Sequence, residues 1–254
     1  MYSYLPKGFK GWRKAAGEIS IIVVGVIIAL FLEQIVERSE WQSKVDAAEA
    51  SMMRELFWDN APQMYQRVSI QPCINAQLDA IRSAVEAGKP RSEIGALVDR
   101  LYVPFVTYDS VAHDQATSAA VSSHMRKERL ALWTQAYAMI PMVDAASAQE
   151  SADLGQVKAF KRRGGQLDIQ EELQLLSAVE AVRQDGRRIG SGVDWTMRVL
   201  PQLDGTLDPV RMKTFIDRSH QYYGRCARDL PADWPVTPFP PLPEGIAPGL
   251  RADA

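Results

Sequence analysis

From Ile19 to Leu32 the chain runs through fourteen residues of which only Ser20 is polar. As a helix this core reaches roughly 21 Å, and extension to Ala15–Val36 gives about 33 Å, against ~30 Å of bilayer hydrocarbon. Glu18, Glu33 and Gln34 fall near the two ends of that stretch, where long polar side chains reach water at modest cost. Beyond Val36 the pattern changes from continuous to periodic. Trp41, Val45, Ala48, Met52 and Leu56 recur at spacings of three and four, with charges between them. That is the stripe of an amphipathic helix, so the span is expected to continue as a stalk to about Asp59.

Later segments are helical in the same sense. Asn60-Ala61-Pro62 marks a kink or restart and Pro72 a second interruption. Ile74, Leu78, Ile81 and Val85 form the stripe of a helix from Cys73 that ends at Gly88, with Pro90 beyond. Ser92 caps a short helix through Tyr102. Val103-Pro104-Phe105-Val106 reads as an extended link, and Asp109–Ser122 as a closely packed helix rich in Ala. Leu130, Trp133, Tyr137 and Ile140 lie on a long helix from Arg126 to Arg163, bent at Pro141 and ended by Gly164-Gly165. Asp168 caps the longest later helix, whose stripe is Leu173, Leu176, Val179, Val182, Ile189, Val193, Met197 and Leu200. Gly186, Gly190 and Gly192 weaken that helix or admit close packing. Pro201 stops it, and Asp208-Pro209 opens a last helix to about Arg228. Residues 231–254 hold seven of the fifteen prolines and read as an extended tail.

The expected fold is therefore all-α: one N-terminal transmembrane helix continuing into an extracytoplasmic helical bundle with a Pro-rich C-terminal tail. Its segments are a basic stretch 1–14, a span 15–36, a stalk 37–60, a bundle 61–230 and a tail 231–254. The part beyond the span is long enough to bury one core.

Charge sets the orientation. Lys7, Lys10, Arg13 and Lys14 give the first fourteen residues +4, leaving −6 for the rest of a chain whose net charge is −2. Basic residues before a span place the N-terminus in the cytoplasm and the remainder outside it. Three other readings compete. A cleaved signal peptide lacks a small-x-small site close after the run, since Ala29-Leu30-Phe31 fails at its third position. A buried core helix does not explain the basic flank, and an interfacial helix would carry a charged face. Gly25 and Ala29, four apart, form a small-xxx-small pair through which two spans can pack, so a homodimer through span and stalk is one expectation. A sequence pI near 6.0 supplies no cationic excess for nucleic acid.

The run Gly17-Glu18-Ile19, followed by Val23-Val24-Gly25-Val26-Ile27-Ile28-Ala29-Leu30, resembles the GEI-x-x-VV-x-G-x-x-IAL signature of an uncharacterised family of bacterial single-span membrane proteins. Glu55-Leu56 with Asn60 is similar to that family's glutamate–leucine–asparagine stretch after the span. The resemblance covers residues 15–60. It implies an inner-membrane anchor with a helical periplasmic part of unknown function, and it supplies no catalytic residues.

Two cysteines are too few for a disulfide framework or a four-cysteine zinc site. Outside the cytoplasm Cys73 and Cys226 meet an oxidising compartment. A bridge would close a loop of about 150 residues, worth about 5 kcal/mol in the chain-entropy model. The alternative is two thiols buried as small hydrophobes.

Signatures of chemistry are missing from the sequence. There is no phosphate-binding glycine loop, nucleophile elbow, C-x-x-C or H-E-x-x-H. Of the histidines His113, His124 and His220, only His113-Asp114 resembles half of a ligand set. Glu171-Glu172 sit at a helix start and Lys158, Lys161, Arg162 and Arg163 near a helix end, where the macrodipole favours each sign. Trp133/Tyr137 and Tyr222-Tyr223 are expected in the core. No cofactor and no enzymatic activity are expected. The leading expectation is a membrane-tethered, non-enzymatic envelope or interaction protein with a lipid bilayer and an unidentified protein as partners; the alternative is a ligand-sensing bundle acting through a partner.

Overall fold

The computed structural model describes residues 12–160 and 165–228, and every regular element among them is helical. The basic residues Lys7 and Lys10, the cluster Lys161–Arg163 and the Pro-rich tail 231–254 lie outside the described residues. Eight α-helices follow in order: α1 Trp12–Arg54, α2 Ala61–Glu86, α3 Arg91–Arg100, α4 Val111–Ser118, α5 Lys127–Tyr137, α6 Ile140–Ala159, α7 Ile169–Val199 and α8 Pro209–Tyr223. The chain divides into two compact units between Ala47 and Ala48. Residues 48–60, expected in a separate stalk, thus belong to the second unit. Met52, Leu56 and Phe57 are buried there, and Glu49 pairs with Arg129 of α5 at 3.3 Å.

The described part of the first unit is α1 from Trp12 to Ala47, and it contains the apolar stretch. Its large aliphatic and aromatic side chains from Ile19 to Val36 are between 48% and 75% exposed.

In the second unit the expected break near Pro62 takes a particular form. Glu55–Asn60 is one π-helical turn, closed by an i→i+5 bond from the Ala61 N–H to the Leu56 carbonyl. Pro62 then occupies the first turn of α2, where its missing N–H costs nothing. Pro72 does not interrupt the chain, contrary to expectation; it lies inside α2, so that Cys73 is mid-helix rather than at a helix start. Its ring forfeits one backbone bond, but Ile70, Cys73 and Ile74 around it are all buried, and that packing outweighs the local penalty. Helix α2 ends as expected at Gly88. With φ +63°, this residue lets Lys89 donate to Ala84 at 3.0 Å and its own N–H to Val85 at 2.9 Å, a Schellman closure.

Helix α3 starts one residue before the expected cap. Pro90, not Ser92, is its N-cap. The Arg91 N–H is satisfied by the Gly165 carbonyl at 3.2 Å and its guanidinium by Glu171, so no serine cap is required. Leu101–Ser110 carries no regular structure, as the X-Pro link implies. The Ala-rich helix is shorter than expected: α4 ends at Ser118, and left-handed Ala120 leads into a 3-10 turn, Val121–His124. The long helix from Arg126 is two helices rather than one bent one. Pro141 stands in the first turn of α6, and Ala138-Met139 is the joint.

Helix α7 begins with the expected Asp168 cap, completed by Glu171: Asp168 Oδ1 accepts from the Glu171 N–H at 2.8 Å, and Glu171 Oε2 from the Asp168 N–H at 3.1 Å. Its stripe is buried from Val179 onward, but Leu173 is exposed and Leu175 takes the core position. Helix α7 is central: it packs most extensively on α6 and also on α2 and α5. Two of its glycines permit this. A Cβ on Gly192 would collide with Val143 and lie 2.7 Å from the Met142 methyl, and one on Gly186 would lie 2.8 Å from Gln71. Gly190 faces open space. Asp208 caps α8 by accepting from the N–H groups of Val210 and Arg211, and a 3-10 turn, Gly224–Cys226, follows.

Candidate functional site

Three arrangements of side chains stand out. The first is the surface of α1. Gly25 and Ala29 are both exposed, and nothing approaches the Cβ position of Gly25 within 4 Å. A second helix can therefore come close at that point. Arg13 and Lys14 lie in the first turn of α1.

The second is the covalent tie. Cys73 and Cys226 are joined, with Cα atoms 5.5 Å apart across 153 residues of sequence. Two further contacts fix the same segment to the unit. The Arg228 N–H donates to the Ser69 carbonyl at 3.1 Å, and the Tyr223 hydroxyl to the Tyr102 carbonyl at 2.5 Å. Ser69 and Cys73 are one turn apart on α2, so the C-terminal strap runs along that helix. Tyr222 is not a core residue, contrary to expectation; it is 57% exposed and stacks on Tyr102 with ring centroids 4.9 Å apart. Core space at the end of α8 is taken instead by Ala227 and partly by Tyr223.

The third arrangement was not anticipated. Along α6, Val143, Ala146, Ser147, Glu150, Leu154 and Val157 share one buried face. Along α7, Val182, Asp185, Gly186 and Ile189 do the same, and along α2, Met64, Arg67, Ile70 and Ile74. Charged residues thus stand in each of three buried stripes, and the packing brings Arg67, Glu150 and Asp185 together. Arg67 and Glu150, each 2% exposed, form an ion pair. Asp185 is equally buried; its Oδ1 accepts from Arg188 at 3.1 Å, while Oδ2 has no donor. Asp153, on the same face of α6, accepts from the side-chain amides of Gln149 and Gln156 at 3.2 and 3.1 Å. Burial pushes the Glu150 carboxyl up to about 7, against the pull of Arg67 and with the push of Asp185. Burial also raises the Asp185 carboxyl, reinforced by its contact with Asp153. The buried Tyr108 phenol is raised by the same desolvation. The signal in the sequence was legible in principle: charges at stripe positions in each of three helices.

The π turn makes a smaller polar site. Asn60, fully buried, clamps the Leu101–Ser110 link by donating to the Asp109 carbonyl at 2.7 Å and accepting from its N–H at 3.1 Å. Glu55 Oε2 accepts from the Ala112 N–H at 2.9 Å, holding the first turn of α4. Of the expected half ligand set, His113 stacks on Tyr137 at 4.8 Å between centroids and lies 3.6 Å from Asp114. Trp133 and Tyr137 are core residues as expected, and the Tyr137 hydroxyl donates to the Met52 carbonyl at 3.1 Å. Among the described residues no group of three His, Cys, Asp or Glu side chains is placed to hold a metal ion.

A cleft of about 450 Å³ lies at the corner of α2 and α3, lined by Ser83, Ala87, Lys89, Glu93, Leu97 and Arg100 among others. Lys89 and Glu93 pair with each other at 3.3 Å, and most of these residues are exposed. Compared with family models, curated proteins and solved structures, the chain matches none.

Proposed function

We propose that the protein is a single-pass, membrane-anchored, non-enzymatic envelope component. Its helical domain stands outside the cytoplasm and works by contact with another macromolecule. One observation carries the reading. The apolar stretch of α1 that is long enough to cross a bilayer buries none of its residues against the protein. Leaving that surface in water is costly at about 25 cal/mol per Å² of apolar area, and hydrocarbon is the solvent that removes the cost. The Cys73–Cys226 bond supports the topology independently, because such bonds persist in oxidising compartments. The basic residues Lys7, Lys10, Arg13 and Lys14 support an N-in orientation. The likeness of residues 17–30 to a bacterial single-span signature points to the inner membrane, with the domain in the periplasm. The open face at Gly25 and Ala29 favours a homodimer through the span. The reading of the domain as a docking body rather than a ligand sensor rests on the surface cleft, where Lys89 and Glu93 pair with each other instead of converging on a ligand.

The test is fractionation of cells expressing the full chain, with a C-terminal reporter and crosslinking in intact membranes. The reading expects an alkali-resistant membrane pellet, a reporter active only outside the cytoplasm, and a crosslinked dimer or hetero-complex. Full-length chain in a detergent-free high-speed supernatant, or a reporter active in the cytoplasm, overturns it.

A further inference from the structure

We propose that the buried cluster of Arg67, Glu150, Asp153 and Asp185 is a proton-operated latch: a proton held among its three carboxyls keeps α2, α6 and α7 closed, and its loss loosens them. The charge inventory requires this. Of its three carboxyl groups, Glu150 pairs with the buried guanidinium of Arg67 and Asp185 with the half-exposed one of Arg188, while Asp153 accepts from two amides. Fully ionised, the group carries one negative charge more than its two cations balance, in a region where an unpaired charge is expensive. One proton removes the excess.

The hydrogen-bond pattern says where the proton sits. Both Asp153 oxygens already accept from side-chain amides, those of Gln149 and Gln156. Asp185 Oδ2 is buried, has no donor, and interacts with Asp153. A protonated Asp185 donates to Asp153 and leaves neither oxygen orphaned, whereas an ionised one places two carboxylates side by side. The remaining groups facing the cluster do not compensate. From α2 there is Gln71, which is neutral; from the Leu101–Ser110 link Tyr108, and from the end of α8 Tyr223. Both phenols are raised by burial and stay neutral, and Tyr108 is also pushed by Asp144 of α6.

The direction follows. Glu150 and Asp185 hold protons more tightly in the folded chain than in the unfolded one. Their contribution is complete below the ordinary carboxylate range and is lost as pH rises through about 7 for Glu150. From Glu150 alone, the opening equilibrium rises about twentyfold between pH 5.5 and 7.5.

Native-state hydrogen exchange on the full chain in detergent micelles reads this directly, with amide rates divided by their intrinsic rates at each pH. Protection of α6 and α7 is expected to fall roughly twentyfold across that interval. Asp185→Asn keeps a donor toward Asp153 and removes the push on Glu150, so its slope is expected to fall below the wild-type one. Arg67→Met with Glu150→Gln, which removes both members of the ion pair together, is expected to flatten the profile. Asp217→Asn, on the exposed face of α8, keeps the wild-type profile. A pH-independent wild type, or the full wild-type slope in both cluster variants, overturns the latch.

Discussion

Breaking the Cys73–Cys226 bond is the perturbation whose size is best defined by the structure. The bond spans 153 residues. Closing a loop of that length removes about 17 cal/mol/K from the unfolded chain, about 5 kcal/mol at 25 °C. In the folded state the strap keeps its other ties, the Arg228–Ser69 and Tyr223–Tyr102 hydrogen bonds and the buried Ala227, so native structure survives the loss. The clean variant is Cys73→Ala with Cys226→Ser. Cys73 is 3% exposed, and a serine there would add a buried hydroxyl, whereas Cys226 is solvent-exposed. For a unit of this size 1 kcal/mol shifts Tm by roughly 2–4 °C, so the double variant should melt roughly 10–20 °C below the oxidised wild type. The assay is thermal unfolding of the purified chain by circular dichroism, with and without reductant. Reductant should bring the wild type to the variant's Tm and leave the variant unmoved. A difference under about 3 °C, or two free thiols titrated in denaturant without reductant, refutes the reasoning.

Glycine substitutions in α7 separate close packing from helix propensity. Gly192→Ala drives a methyl into Val143 and Met142 and should cost about 1–3 kcal/mol, whereas Gly190→Ala, facing open space, should gain up to about 1 kcal/mol; urea denaturation of the two variants must give opposite signs. Asn60→Ala unpairs both backbone groups of Asp109 and should cost about 2–4 kcal/mol, with loss of protection at the Asp109 amide in hydrogen exchange; unchanged protection there contradicts the clamp. Ile27→Arg puts a charge in the middle of the apolar surface and should cost about 2.5–3.5 kcal/mol of insertion; membrane recovery equal to wild type after alkaline extraction argues against a span.

The helical character of the chain was legible almost everywhere, because apolar spacing of three and four survives any tertiary arrangement. Asp168 with Glu171, Gly88, and Asp208 with Pro209 mark boundaries where the structure puts them, since each acts within one turn. Proline was read less well, because its effect depends on what surrounds it. Pro62 and Pro141 stand in first turns, and Pro72 sits within a helix that buried neighbours hold together. Ser92 misled for a similar reason: a partner from another element, Gly165, had already satisfied the helix start.

The candidate sites divide in the same way. Gly25, Ala29 and the cysteines drew notice from residue type and spacing. Arg67, Glu150 and Asp185 did not, although each interrupts an apolar stripe. A lone charge in one helix has no visible partner until three helices converge.

By itself the chain determined its helices, several of their caps and a long apolar stretch, because those depend on neighbours within a few residues. Tertiary structure alone decided which charges share a buried space, which glycines lie under a neighbouring side chain, and that Cys73 meets Cys226. These depend on residues far apart in sequence, and packing rather than local preference brings such residues into contact.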